Sequence, residues 1–384
     1  MSSTTAPAAA ATPYLATLEP VVRDVVAPAA EAVDREGHFP RAAIDALGQA
    51  GLLGLVSAPD VGGLGEGHRA AALVVEELAR HCASTAMVVL MHYAATAVVE
   101  AHGTIEVRQR IAAGSCLATL AFSETGSRSH FWVPLSSAAA THDGAVELNA
   151  EKSWVTSAGQ ADAYVWSSRP LAAEGLSSLW LVPNGSPGLE VGPAFDGLGL
   201  RGNDSRPMQA RGVTVAADAM LGVDGRGFDV MITSALPYFQ VMTAAFSIGT
   251  MDAATTKAAH HLVKTRLAHL DQALSQNPIN RAYVARMRLW TDQARALLLD
   301  TLDALERGRD DAVLRVLEVK AAASEASTQV TELAMRVCGG SAFRKGSGVE
   351  RHFRDARAST VMAPTSDSLY EFIGRVACGL PLFG

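Results

Sequence analysis

Three short stretches of this 384-residue chain carry residue types able to do chemistry. "AFSETGSRSH" (121–130) offers hydroxyls, small residues and a turn, so backbone N–H groups and Ser or Thr oxygens can meet a polar ring system. "EKSWVTSAG" (151–159) sets Trp154 and Thr156 two apart, on one face of an extended strand. An indole can cover a planar cofactor, and a threonine hydroxyl can hydrogen-bond to it. Alone, the same pattern is an ordinary half-buried strand. "CGGSAFRKGSGVERHFRDAR" (338–357) places Gly339 and Gly340 after a helix, where missing Cβ atoms let a pyrophosphate or another backbone come close. Alone, it is a helix cap.

Other chemistries lack their motifs. No HExxH, Walker loop or nucleophile elbow occurs. The glycine-rich "GLGLRGN" (197–203) lies between strand-like segments instead of opening a helix after a first strand, so it is no dinucleotide fingerprint. His81, His92, His260 and His261 do not have a metal-ligand spacing, and a lone helical histidine such as His92 is more often a packed residue than a ligand. Cys82, Cys116, Cys338 and Cys378 form no CxxC pair. No metal site is expected, and reduced thiols fit a cytoplasmic enzyme.

These stretches need elements to hold them. From about Tyr14 to Leu117 the apolar spacing is helical: Ile44, Leu47, Leu52 and Leu55 fall near one face, with Pro40 where a first turn tolerates it. "APDVGGLGEG" (58–67) reads as a loop, and residues 68–103 as two helices stopped at Gly103. At about Ala118 the texture changes to alternating apolar and polar residues, rich in Val, Trp and Tyr, after an Asp143-Gly144 turn signal. After "GVDGRGFDV" the helical period returns. The segments 255–301 and 311–338 are each long enough for an extended helix of an antiparallel bundle. The expected fold is α+β: a disordered tail (1–13), an N-terminal helical domain (14–117), a middle β domain (118–225) and a C-terminal helical domain (226–384).

Composition agrees with a folded, well-buried chain, 49 % of it apolar. A net charge of −7 without a dense Lys/Arg block argues against nucleic acid or an anionic membrane as the main partner. The apolar run 86–99 is too short to span a bilayer, and the N-terminus lacks the basic start and apolar core of a secretory leader.

Taken together and in this order, the motifs resemble the acyl-CoA dehydrogenase superfamily along almost the whole chain. "FPRAAIDALGQAGLLGLVSAPDVGGLG" (39–65) is similar to its N-terminal signature, and "AFSETGSRSH" to its T-E-P-G-x-G-S-D segment. "EKSWVTSAGQADAYVW" is similar to its G-x-K-x-W-I-T-N segment, and "VCGGSAF…VERHFRDAR" to its C-terminal signature. The resemblance implies FAD shared between subunits of a homodimer or homotetramer, with a C-terminal four-helix bundle. It implies that Phe122 and Ser123 meet the isoalloxazine, that Trp154 and Thr156 flank and hydrogen-bond it, and that Ser129 lies near flavin and substrate. It places Arg266, Arg336, Gly339 and Gly340 near the phosphates and adenosine of the FAD, with Arg336 standing where the family has Gln.

The departures from the family pattern point to function. Dehydrogenation of a thioester needs a base at the α-proton. The family's usual glutamate falls at Ala363, followed by Pro364, and its alternative position on a C-terminal-domain helix falls at Phe239, followed by Gln240. Thr125, Arg128 and His130 replace Pro, Gly and Asp of the T-E-P-G-x-G-S-D segment. The expectation is an FAD enzyme acting on an acyl-CoA-like thioester, of monooxygenase or oxidase type. O2 and an electron-transfer or flavin reductase partner are implied, and His92, Arg128 and His130 are candidate polar contacts. The alternatives are a dehydrogenase with a displaced base, such as Glu371 or Asp367, and an inactive flavin-binding scaffold. Glu124 is expected to be structural.

Overall fold

The structure, a computed structural model, describes residues 12–127 and 130–382. Of the expected disordered tail, residues 1–11 lie outside the described residues, and a helix already starts at Pro13. Six helices come first: α1 (Pro13–Val21), α2 (Ala27–Glu36), α3 (Arg41–Gln49), α4 (His68–His81), α5 (Ala83–His102) and α6 (Ile105–Ala112). Proline opens α1 in the first turn, where its missing N–H would be unpaired anyway. Gly37 and Gly62 take left-handed conformations at the ends of helical segments. The apolar run 86–99 belongs to the 20-residue α5, which by length and composition could cross a bilayer. Here it is a core helix, with 89 % of its most apolar window buried.

Seven strands follow: β1 (Ala118–Ala121), β2 (Ser137–Ala140), β3 (Val146–Val155), β4 (Ala163–Ser168), β5 (Ser178–Pro183), β6 (Leu189–Val191) and β7 (Arg206–Val215). They form two sheets, β1-β4-β5 and β2-β3-β7-β6, antiparallel except for the parallel β1–β4 pair. All of β1 and β4 is buried, which suits their apolar sequence. Trp166 and Trp180 sit opposite each other on β4 and β5 and centre a separate β core.

The last part is helical: α7 (Gly227–Val230), α8 (Leu236–Lys264), α9 (Pro278–Arg307), α10 (Ala312–Cys338), α11 (Val349–Val361) and α12 (Ser366–Ala377). A π-helical turn, Met231–Ala235, joins α7 to α8. The expected long helix over 255–301 does not form. A small hairpin, β8 (Arg266–Leu267) and β9 (Gln272–Ala273), interrupts it, and Asn277 caps the next helix by accepting from Ile279 N–H. With Pro278 opening α9, the two helices turn back on each other.

The glycines of "GLGLRGN" are packing glycines. A Cβ on Gly199 would stand 2.6 Å from the Arg354 carbonyl, and one on Gly202 would stand 2.4 Å from Val33. Asp355 accepts from Leu200 N–H at 2.7 Å, and Arg354 pairs with Asp34 at 2.6 Å. This loop therefore locks α2, the β domain and α11 together.

Candidate active site

Ser123 lies in the loop after β1, and its carbonyl accepts from Ser153 N–H of β3 at 2.9 Å. That bond holds the loop beside Trp154. Phe122 is buried, its ring 6.4 Å from Phe131 and nearly parallel to it. Arg128 and Ser129 lie outside the described residues. His130 is exposed and meets Trp132 edge-on at 5.3 Å, and Trp132 reaches Phe372 of α12 at 6.0 Å. This aromatic bridge ties the β1 loop to the helix that follows residue 363. Sequence periodicity gave no sign of it, because its two ends are 240 positions apart.

Trp154 and Thr156 do not share a strand face. The β3–β7 register shifts between Lys152 and Val155, Trp154 takes φ +54°, and the strand ends at Val155. One extra residue in the strand re-aims the side chains beyond it. Trp154 is turned outward, 70 % exposed, with Phe195 edge-on at 6.5 Å. Thr156 is turned inward, its hydroxyl 3.3 Å from that of Ser205.

The second group of expected residues lies in the C-terminal part of the chain, on the β8 hairpin and at the end of α10. Gly339 has φ +53°, and both it and Gly340 have open space where a Cβ would stand. Arg336 lies over the Tyr283 ring at 5.8 Å. Arg266 donates to the Asp271 carbonyl at 2.7 Å and to its carboxylate at 2.6 Å. The arginine is more than half exposed. These features fit FAD. A large apolar ring held outward by a strained backbone suits a planar partner, and two glycines with open space at their Cβ positions suit the close approach of a diphosphate.

His92 is not a pocket contact. It is fully buried on α5, with Nε2 3.0 Å from the Leu53 carbonyl and Nδ1 accepting from Ala118 N–H at 3.1 Å. This network assigns the proton to Nε2. Burial pushes its pKa down to about 4, against the two backbone hydrogen bonds, so the ring is a neutral core residue.

Glu124 is held as a structural group. Its carboxylate accepts from Lys152 Nζ at 2.6 Å, from Ser136 Oγ at 2.5 Å and from the backbone N–H groups of Leu135 and Ser136. Burial raises its pKa, but the Lys152 charge and these hydrogen bonds outweigh burial and leave it below the ordinary value. Burial lowers Lys152 to about 8, opposed by Glu124. Lys152 also donates to the carbonyl and hydroxyl of Ser167. With every ligand position filled, Glu124 is no free base.

The loop at the expected base position is four residues long, Met362 to Thr365, between α11 and α12. Ala363 is half-buried, and the Ala363–Pro364 peptide is cis. Under the loop, Lys320 of α10 is fully buried and donates to the carbonyls of Met362 at 2.9 Å and Pro364 at 2.7 Å. Burial lowers Lys320 to about 7, partly opposed by Glu325. Either protonation state keeps at least two N–H donors. Sequence reading missed this lysine; its one signal is a lone cation in the small-residue run "EVKAAASEAS" (318–327).

Phe239 and Tyr238 of α8 pack against the same helical core as Met362 and Ala363. His68 stacks on Tyr238 at 4.0 Å, and burial lowers its pKa to about 4. Gln240 is fully buried, and neither atom of its amide has a hydrogen-bond partner among the described residues. Glu371 is exposed on α12 with Arg375 3.8 Å away, and Asp367 is exposed in that helix's first turn.

Comparison with known proteins agrees with this layout. The family descriptions "Acyl-CoA dehydrogenase, N-terminal domain", "middle domain" and "C-terminal domain" match residues 14–116, 119–213 and 225–378. The mitochondrial short-chain specific acyl-CoA dehydrogenase of Bos taurus is 30 % identical over 348 residues, 88 % of this chain and 83 % of that protein. Butyryl-CoA dehydrogenase from Megasphaera elsdenii superposes with a TM-score of 0.88 at 22 % identity, covering 95 % of this chain and 97 % of that one. The prolyl acyl carrier protein oxidase AnaB superposes at 0.85 with 19 % identity, covering 96 % and 100 %. The chain belongs to the acyl-CoA dehydrogenase family, a family of flavin-dependent oxidoreductases.

Proposed function

We propose that this protein is an FAD-dependent oxidoreductase acting on an acyl thioester, and that it oxidises or oxygenates its substrate without a carboxylate base. The observation that carries this reading is the loop at residues 362–364. Its central residue is an alanine, and Phe239 at the other expected base position is also apolar. The other carboxylates considered are engaged or turned away: Glu124 in its buried ion pair, Glu371 and Asp367 toward solvent. A structure of the same fold is described as an acyl carrier protein oxidase, so the fold is not tied to one electron acceptor.

FAD, when bound, supplies the two-electron chemistry. Trp154 would cover one face of its ring, with Ser123 and Thr156 beside it. Gly339, Gly340, Arg266 and Arg336 would take the diphosphate and adenosine end, across a subunit boundary. Phe239, Met362 and Ala363 wall the reacting region with apolar groups, which keeps water out. Without a positioned base, removal of an unactivated α-proton loses a factor on the order of 10²–10⁴.

The test mixes flavin-loaded enzyme with saturated straight-chain acyl-CoAs without oxygen, then repeats the mixture under ¹⁸O₂ with a reductant. Slow or absent flavin bleaching in the first arm and ¹⁸O in the thioester product of the second support the reading. Rapid anaerobic conversion to enoyl-CoA overturns it.

A further inference from the structure

We propose that Lys320 is the positioning residue of the thioester site. Its buried amine clamps the two carbonyls that flank Ala363 and so fixes where residue 363 stands against the substrate. This rests on reading residue 363 as the one that faces the reacting carbon.

The loop has little else to hold it. The last helical bond of α11 runs from Met362 N–H to the Ala358 carbonyl, and α12 is capped only from Thr365 onward. Between these points the chain turns through two residues, Ala363 and Pro364, the second of them buried. A buried carbonyl requires a donor. Lys320 Nζ supplies one to Met362 at 2.9 Å and one to Pro364 at 2.7 Å. It also lies beside the C-terminal end of α11, where a positive group is favoured by the helix dipole.

The clamp comes from a stiff element. Lys320 sits in the first half of the 27-residue α10, with Val319, Ala321, Ala323 and Ser324 buried around it. Ser324 Oγ adds a bond to the Ser359 carbonyl of α11 at 3.3 Å, one turn further along. The loop's shape is thus set from α10 through backbone carbonyls, whatever side chain residue 363 carries. On the other side, α12 carries Phe372 to the Trp132 bridge, so a shift at residues 362–364 passes to the β1 loop as well.

The experiment compares Lys320→Met, which keeps the length without donors, with Lys320→Gln, which keeps an amide N–H₂ on a shorter stem. Each variant is loaded with FAD and titrated with acetoacetyl-CoA, read by the change in flavin absorbance; melting temperature and flavin content are measured alongside. A misplacement near 1 Å costs roughly 10²-fold in reaction rate, and we expect at least about tenfold weaker acetoacetyl-CoA binding in Lys320→Met. Lys320→Gln should recover part of it, and flavin content should hold in both. A purely structural lysine would lower the melting temperature and leave the affinity of the folded, flavin-loaded fraction unchanged; that result overturns the proposal. Failure of both variants to fold overturns it too, since Lys320 would then be a requirement of the fold. The reading of the chemistry is judged separately by the ¹⁸O₂ experiment on wild-type enzyme, so either can fail alone.

Discussion

Trp154 gives the sharpest test of the cofactor site. It combines a left-handed backbone, φ +54°, with 70 % exposure of the largest side chain available. A bulky residue at positive φ costs on the order of 1 kcal/mol, and solvent offers an indole nothing in return. A tryptophan presents about 250 Å². With 70 % of it free, about 170 Å² is open, and a planar ring on one face would cover about half of that. At about 25 cal/mol per Å², burying 85 Å² is worth about 2 kcal/mol. Trp154→Ala should therefore weaken FAD binding roughly 30-fold, with Trp154→Phe in between. The assay strips the flavin, titrates FAD back and follows indole and flavin fluorescence together. Wild-type emission should be quenched as FAD binds. Trp154→Gly, which relieves the backbone, should leave unfolding stability level or higher while FAD affinity falls. Equal affinities in wild type and Trp154→Ala, with no quenching, would remove Trp154 from the site and break the reasoning.

Two further outcomes follow from the buried charges. Glu124→Gln leaves the ammonium of Lys152 without its counter-ion at 1 % exposure, and should cost about 3–5 kcal/mol in urea unfolding; Glu124→Gln with Lys152→Met should recover most of that, and a strictly additive double variant would refute the coupling. His92 titrates near 4 in the folded chain against 6.5 for the free side chain, so between these values only the unfolded chain takes up the proton. Stability should then fall as pH falls from 6.5 toward 4, by up to about 3 kcal/mol, with His68 and His352 adding in the same direction. His92→Asn should flatten the pH dependence of the urea midpoint by about one proton, and an unchanged slope would refute the neutral core assignment.

The order of layers was legible in the sequence because the period of the apolar residues changes with the element. Helical spacing gives way to strand alternation near Ala118, where β1 begins, and returns near Gly227, where α7 begins. The break at residues 266–273 was hidden, since that hairpin has no glycine and Asp271 supplies the positive φ itself. Trp154 and Thr156 were expected on one strand face, and that relation was misjudged. Strand period assumes an unbroken register, and a bulge is a property of the pairing with β7, which one strand's sequence does not display. His92 was misplaced for a related reason. Its partners are the backbone groups of Leu53 and Ala118, far away in the chain and of no particular residue type. Lys320 escaped because a lysine in a helix is ordinarily a solvent residue, and only the packing of α10 against α11 and α12 buries it.

The same geometry explains how one fold can tolerate a change at its most chemical position. Lys320 grips the carbonyls of residues 362 and 364, and Thr365 caps α12 through its own hydroxyl. None of these contacts involves the side chain of residue 363. The loop is therefore expected to keep its place whether that side chain is a carboxylate or a methyl group. The residues proposed to hold FAD are equally independent of it. Trp154, Ser123 and Thr156 are set by the β3 bulge and the loop paired to it, while Gly339 and Gly340 are set by the end of α10. On the proposed reading, flavin binding rests on the sheets and the long helices, and proton chemistry rests on one clamped loop. On the proposed reading, substitution at residue 363 alone would change the proton chemistry, while the structure proposed to hold the flavin and the thioester stays as it is.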